Sequence, residues 1–273
     1  MANLRISVVT PSFNQARYLE RTIRSVLSQD GVDLEYLILD GGSSDGSVEI
    51  IEKYADRLAY WRSAKDGGHA AALAEGFARC NGDVLCWLNS DDVFLPHALA
   101  RVARYFEQHP QEQTLSAGAY CIDEQDRPLR GFYACTLGVP ATFDRLRFYG
   151  QDGVFQPATF WRRSAYEAVG GIDPSIDFIM DYDLFARLSR YRAFARLPVF
   201  LACFRVHGES KSARLEAVRR AECNLFAERY GATDYPPWQR SLFYWRYRLP
   251  RLAMKAWWRL RREVGLLRIP SIS

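Results

Sequence analysis

The sequence predicts an α/β protein: a mostly parallel sheet flanked by helices, followed by a C-terminal amphipathic helical tail. Three observations carry that expectation. Short β-branched or apolar runs alternate with stretches whose apolar residues recur every three or four positions, which is the pattern of a parallel sheet with helices on both faces. One run, Val84-Leu85-Cys86-Trp87-Leu88, carries no charge and stops at Asn89-Ser90-Asp91-Asp92, as a strand buried on both faces does at its carboxyl end. From Trp238 onward the composition turns basic and aromatic.

Length and composition set the bounds. The 273 residues suffice for one large α/β domain or a core domain with an appendage, and 48% hydrophobic with 25% charged residues is ordinary for a globular chain. Six cysteines, at 80, 86, 121, 135, 203 and 223, show neither a C-x-x-C pair nor a signal-peptide pattern ahead of them. That spacing indicates no zinc site and no disulfide framework, and a reducing cytosol is the expected setting. No apolar run approaches the roughly 20 residues of a membrane-spanning helix.

The elements follow in order. Arg5 to Thr10 is a strand stopped by Pro11, and Leu19, Ile23, Val26 and Leu27 then recur at helical spacing. The intervening Thr10-Pro11-Ser12-Phe13-Asn14 has no glycine, which argues against a dinucleotide-binding oxidoreductase. Leu34 to Asp40 is a second strand, with Gly41-Gly42-Ser43-Ser44-Asp45-Gly46-Ser47 after it. A carboxylate facing such a loop suits a nucleobase N–H or a ribose hydroxyl, although Asp45 reads better as the cap of the next short helix. Leu58 to Trp61 is a third strand, and Lys65-Asp66-Gly67-Gly68-His69 opens an Ala-rich helix, so that Asp40, Asp66 and Asp91 are expected at one sheet edge. Open α/β sheets bind ligands at that edge. The adjacent Asp91 and Asp92 repel each other unless a cation or strong donors absorb their charge, which points to a divalent metal; an N-cap and turn is the structural alternative.

Beyond Thr114–Ile122, another expected strand, the pattern is less regular. Gln156 and Trp161 fall among aromatic residues whose rings suit stacking on a sugar or packing in a core. Asp181 begins a helix with Leu184, Phe185 and Leu188 inward, and a carboxylate there is also a natural cap. Residues 194–197 and 199–206 read as two short strands, ending at His207 and a polar loop whose Ser210, Lys211 and Ser212 suit a diphosphate. Residues 214–230 read as an amphipathic helix.

In the tail, Leu242, Trp245, Leu249, Leu252, Ala256, Leu260, Val264 and Leu267 form a stripe, and residues 238 to 268 hold nine Lys or Arg against one Glu. The formal charge of the whole chain is only +4, so the rest is net acidic. Pro250 is expected to break the tail into two helices. A basic amphipathic segment with indoles at 245, 257 and 258 suits an anionic membrane surface. No other basic stretch extends a nucleic-acid groove, and no nucleic acid is expected as partner.

Taken in order, Val8 to Asn14, Leu39 to Ser47, Trp87 to Asp92, Asp181-Tyr182-Asp183-Leu184 and Arg205-Val206-His207 resemble the motifs of glycosyltransferase family 2, the inverting enzymes of GT-A type that use nucleotide-diphosphate sugars. The similarity spans roughly residues 4 to 212. It implies a Rossmann-like GT-A domain over 1–212, with a nucleotide-sugar half to about 122 and an acceptor and catalytic half over about 123–212. Residues 213–237 would be a packing helix and linker, and 238–273 a membrane-surface anchor.

The resemblance further implies donor binding at Thr10, Pro11, Phe13, Asn14, Asp40, Ser43, Asp66, Gly67, Asn89, Ser90 and Asp91. Asp40 and Asp66 would meet the base and Asp91 the ribose. Mn²⁺ or Mg²⁺ would sit on Asp92 and His207 with Asp91, and the acceptor would lie by Gln156, Trp161 and Asp181, the last as general base. The expected activity is transfer from a nucleotide sugar, a UDP-sugar in first place, to a saccharide or lipid-linked saccharide at the cytoplasmic face of the membrane. A metal-dependent nucleotidyltransferase and a silent sugar-nucleotide or glycan-binding module are the alternatives.

Overall fold

A computed structural model of the chain describes residues 4–134, 141–149, 154–190, 192–209 and 216–263. The first half follows the alternation read from the sequence: β1 (Arg5–Ser12), α1 (Ala16–Leu27), β2 (Asp33–Asp40), α2 (Ser47–Glu52), β3 (Tyr60–Ser63), α3 (His69–Arg79) and β4 (Val84–Trp87). β1 pairs parallel with β2 and β4, and β2 pairs parallel with β3. Because Ser12 pairs with Asp40 and Asp40 with Ser63, the three strands end level and their following loops share one edge.

The second half is mixed. It comprises β5 (Val93–Phe94), α4 (Ala98–Gln108), β6 (Thr114–Ile122), β7 (Pro128–Ala134), α5 (Phe143–Tyr149), β8 (Thr159–Arg162), α6 (Arg163–Ala168), α7 (Met180–Ser189) and β9 (Ala195–Arg205). The nine strands make one sheet in the order β3-β2-β1-β4-β8-β6-β9-β5, with β7 beside β6. β8 inserts antiparallel between β4 and β6, so β6 does not extend the parallel run directly.

Residues 195–205 form one strand rather than two: Pro198, which lacks an N–H for the ladder, lies where the β6–β9 register shifts, and pairing resumes beyond it. α8 (Glu216–Arg229) and α9 (Pro237–Glu263) complete the chain. α9 continues through Pro250, correcting the expected break. A proline removes one helical hydrogen bond, and the helix has several turns on each side of it.

Successive residues of each central strand enter opposite cores, the period-two consequence of strand geometry. Val8, Ile38 and Cys86 pack with Leu19 and Ile23 of α1 and Val102 and Phe106 of α4. Val9, Leu39, Leu85 and Trp87 pack with Leu73 and Phe77 of α3 and Leu184 and Phe185 of α7. α3 approaches the sheet through Gly76, where an added Cβ would stand 2.5 Å from Val9 and 2.9 Å from Leu39. α7 is pressed against the end of β4, with the Phe185 and Trp87 rings stacked at 6.0 Å.

Candidate active site

The carboxyl edge of β1 to β4 carries most of the residues expected from sequence, but the side chains divide into two groups. One group builds the edge from inside. Thr10 is buried and accepts the Tyr36 hydroxyl, and Pro11 is buried beside it. Asp40 is fully buried, accepting the Gly42 and Ser43 amides and the Ser63 hydroxyl on Oδ2 and the Ser43 hydroxyl on Oδ1. With both oxygens engaged by Gly42, Ser43 and Ser63, Asp40 shapes the loop.

Asn14, at a φ of 51°, accepts the Ser44 amide on its side chain and donates its own amide to Ser43 Oγ. Asp45 accepts the amides of Ala16 and Ser47, closing the turn ahead of α2. These bonds lace the loops after β1 and β2 together.

The second group faces outward. Phe13 is 60% exposed, and its ring stands 3.2 Å from where Gly41 would carry a Cβ; the Asp66 carboxylate lies 3.5 Å from the same point. Any side chain at position 41 would fill that niche. Asp66 is half-buried, accepts the Gly68 amide and is steadied by Arg62, which also bonds Glu75 and the Asp40 carbonyl. Gly67 lies exposed at the start of α3.

After β4 the chain turns through Asn89, Ser90, Asp91 and Asp92 into β5. β5 runs antiparallel to β9, pairing Val93 with Cys203, and this brings the residues after β9 back to the turn. His207 Nε2 consequently lies 2.9 Å from Asp91 Oδ2. Asp92 instead points inward: it is fully buried, accepts the Arg205 amide at 2.9 Å, and approaches Asn89 Nδ2 at 3.4 Å. Burial, and after it the charge of Asp91, pushes the Asp92 carboxyl well above the ordinary carboxylate range.

Asp91 and His207 are thus the polar pair at the edge, and Asp92 supports the turn. At 2.9 Å the two are within hydrogen-bond distance of each other, and two ligands at right angles on a divalent ion, each about 2.1 Å from it, would stand about 3.0 Å apart. Among the described residues no group of three or more His, Cys, Asp or Glu is placed to hold an ion.

Arg205 and Tyr18, which sequence reasoning gave no role of their own, organise this turn. The Arg205 guanidinium is buried, bonds the carbonyls of Asp91 and Asp123 and the carboxylate of Asp126, and lies over the Tyr18 ring. A cation ending the apolar run 199–204 was the available signal. Tyr18 also packs against His207, with ring centroids 4.8 Å apart and the planes tilted by 51°. Four buried polar atoms at this edge, Ser12 Oγ, Tyr18 OH, Asn89 Oδ1 and His207 Nδ1, have no hydrogen-bond partner among the described residues. Buried polar atoms are normally paired, so their concentration here marks a place built for polar company.

The expected acceptor residues separate. Gln156 braces the turn, donating to the Trp87 carbonyl and accepting from Asn89. Trp161 is fully buried among Phe77, Trp87, Tyr166 and Phe185 and cannot face an acceptor. Burying an indole removes on the order of 200 Å² from water, a stabilisation of roughly 5 kcal/mol at about 25 cal/mol per Å², which decides for the core over the surface. Asp181, in the first turn of α7, is half-buried and accepts the Tyr182 amide. It stands one turn ahead of Phe185, whose ring covers Trp87 at the end of β4. The loop before α7 borders the turn after Asp66, with Asp177 Oδ1 4.0 Å from the Cβ position of Gly68. Ser210, Lys211 and Ser212 lie outside the described residues.

The profile described as Glycosyl transferase family 2 matches residues 7–170. The chain belongs to glycosyltransferase family 2. An uncharacterized glycosyltransferase of Nostoc sp. is 33% identical over 180 residues, a match covering 63% of this chain and 55% of that protein. The O-antigen biosynthesis protein RfbC of Myxococcus xanthus is 30% identical over 191 residues, covering 67% of this chain and 14% of its own length.

Solved structures place the fold in the GT-A class. S. aureus TarS 1-349 in complex with UDP-GlcNAc superposes with a TM-score of 0.64 at 16% identity, covering 89% of this chain and 71% of that one. The Pyrobaculum calidifontis mannosyltransferase PcManGT, in complex with GDP-Man and Mn²⁺, gives 0.62 at 15%, covering 99% and 78%.

Proposed function

We propose that this family 2 chain transfers a sugar from a nucleoside-diphosphate donor to a saccharide hydroxyl with inversion at the anomeric carbon. The observation that carries the reading is the Asp91–His207 pair, held at the carboxyl edge of the parallel strands beside the niche of Phe13, Gly41 and Asp66. The niche suits a planar base, with Phe13 against its face and Asp66 accepting an N–H.

Asp91 and His207 would hold a Mn²⁺ or Mg²⁺ ion beside the donor diphosphate. When bound, the ion supplies Lewis-acid compensation for the charge on the departing diphosphate. Asp181 accepts the acceptor hydroxyl proton as the new C–O bond forms and the sugar–phosphate bond breaks, a contribution of about 10²- to 10⁴-fold for a positioned base. Attack opposite the leaving group inverts the anomeric centre.

UDP is favoured as the donor nucleotide because TarS holds UDP-GlcNAc on the same fold, while the GDP-Man bound by PcManGT makes guanosine the first competitor. The likeness to an O-antigen biosynthesis protein supports a cell-surface polysaccharide precursor, free or lipid-linked, as acceptor.

α9 supports docking at an anionic leaflet, and action at the cytoplasmic face of the membrane is part of the same reading. Trp238, Leu242, Trp245, Leu249, Leu252 and Leu260 are all exposed along it. The excess of basic residues disfavours pairing with a second copy and favours phospholipid headgroups. Among the described residues no helix is long and apolar enough to cross a membrane. The division into a 1–212 transferase domain, a 213–237 packing segment and a 238–273 anchor belongs to the same proposal.

The test is a thermal-shift panel of UDP, GDP, CDP and dTDP, each with and without Mn²⁺. A metal-dependent rise for one nucleotide is expected, since a ligand of the native state alone raises its stability. No rise with any of the four removes the donor assignment. Release of the diphosphate from the matching nucleotide sugar then separates an enzyme from a silent binding module.

A further inference from the structure

Glu222, in the middle of α8, directs its carboxylate at the loop that leads into α7. It accepts three consecutive backbone amides, Asp177 at 3.1 Å, Phe178 at 2.8 Å and Ile179 at 2.9 Å. Ile179 is the N-cap of α7, and its own side chain makes no capping bond. A carboxylate from another helix therefore meets the N-cap amide at the positive end of the α7 dipole, together with the two loop amides before it.

α8 holds α7 at two further places. Phe226 and Tyr230 pack with Phe178, Ile179, Tyr182 and Ala186. One turn below, Arg229 and the Tyr230 hydroxyl both donate to Asp183 Oδ1, while Arg187 donates through two nitrogens to Asp183 Oδ2. Asp181 and Asp183 are two residues apart, about 200° around a helix of 3.6 residues per turn. Asp183 thus faces the α8 side, and Asp181 is left toward the sheet edge.

We infer that Glu222 is a positioning residue for the glycosyl transfer: by fixing the amides of residues 177–179 it sets where the first turn of α7 presents the Asp181 carboxylate to the acceptor. This rests on Asp181 as the base. The same loop borders the donor-side turn at Gly68, so a loosened loop moves Asp181 relative to the donor while the Asp91–His207 pair, built on β4 and β9, stays in place.

The experiment compares Glu222→Ala and Glu222→Gln with the parent chain. Backbone exchange is followed by mass spectrometry, UDP affinity with Mn²⁺ by calorimetry, and UDP release from UDP-N-acetylglucosamine, UDP-glucose and GDP-mannose (as GDP) by kinetics. In Glu222→Ala, residues 177–179 exchange at least tenfold faster, kcat falls at least tenfold and UDP affinity changes less than twofold; Glu222→Gln, which retains an acceptor oxygen of the same reach, recovers part of the loss.

Parent-like kcat in Glu222→Ala overturns the inference, as does a parallel loss of UDP affinity or a Gln variant no better than Ala. If the Ala variant does not fold, the Gln variant decides, with parent-like kcat as the overturning result. A parent chain that turns over none of the three donors overturns the base assignment and this role with it, while exchange still reads whether Glu222 holds the loop.

Discussion

Replacing Asp181 by Asn separates the two uses its position allows. The carboxylate accepts the Tyr182 amide in the first turn of α7, and an Asn carbonyl accepts the same donor. What the substitution removes is the charge, whose interaction with the helix dipole contributes about 0.3–1 kcal/mol, and the capacity to take a proton. For a chain of this size about 1 kcal/mol shifts Tm by roughly 2–4 °C, so Asp181→Asn should melt within about 4 °C of the parent. Loss of a positioned general base costs about 10²-fold or more, or at least about 2.7 kcal/mol of transition-state stabilisation at about 1.36 kcal/mol per decade. The assay is UDP release at saturating nucleotide sugar, beside calorimetric UDP affinity in Mn²⁺, which should be unchanged. Turnover within a few-fold of the parent refutes the base and leaves Asp181 as part of the helix start.

Other expectations test the remaining elements. His207→Ala should lower UDP affinity in Mn²⁺ by at least about tenfold, since loss even of a group supporting a metal ligand costs about 10- to 100-fold; calorimetry showing the same affinity with and without the ion in both proteins would contradict the ligand assignment. Glu35 is buried where burial alone would raise its carboxyl, yet bonds from the Ser7 hydroxyl and from Asn81 hold it below the ordinary range. Its stabilisation is therefore present above the unfolded carboxylate value, about 4.3, and is lost as pH falls through the lower folded value. Glu35→Gln should unfold about 1–3 kcal/mol more easily at neutral pH, with the gap closing below about pH 4; a gap in urea midpoints that widens in acid would count against it. Replacing Trp238, Leu242, Trp245 and Leu249 with Gln should abolish sedimentation with phosphatidylglycerol vesicles while leaving UDP affinity intact. Undiminished sedimentation would remove the anchor.

Much of the fold was legible because its signals are local. β-branched runs, helical spacing and the uncharged Val84–Leu88 segment each report on neighbours in sequence, and they located β1 to β4 with their helices. The order of the acidic motifs likewise pointed to the family and to the edge where Asp66 and Asp91 stand. The insertion of β8 between β4 and β6 was not legible, because strand order is settled by which faces bury each other across the molecule.

Which carboxylate faces outward also depended on tertiary structure. Asp40 ends β2 and Asp66 follows β3, and the two look alike in sequence, but Asp40 is enclosed by Gly42, Ser43 and Ser63 while Asp66 borders the Phe13 niche. Asp91 and Asp92 are adjacent, yet the return of β9 gives one an imidazole and the other a buried amide. Gln156 and Trp161 were eligible for a sugar until packing committed the indole to the core. Glu222 had no signal at all, since its partners lie more than forty positions away.

The sequence by itself determined the alternating elements of the first half, the family and the edge at which chemistry is placed, because those follow from local periodicity and ordered motifs. Only the tertiary structure decided which side chains at that edge are supports and which meet a ligand, because a carboxylate's role is set by the donors and burial that distant segments bring to it.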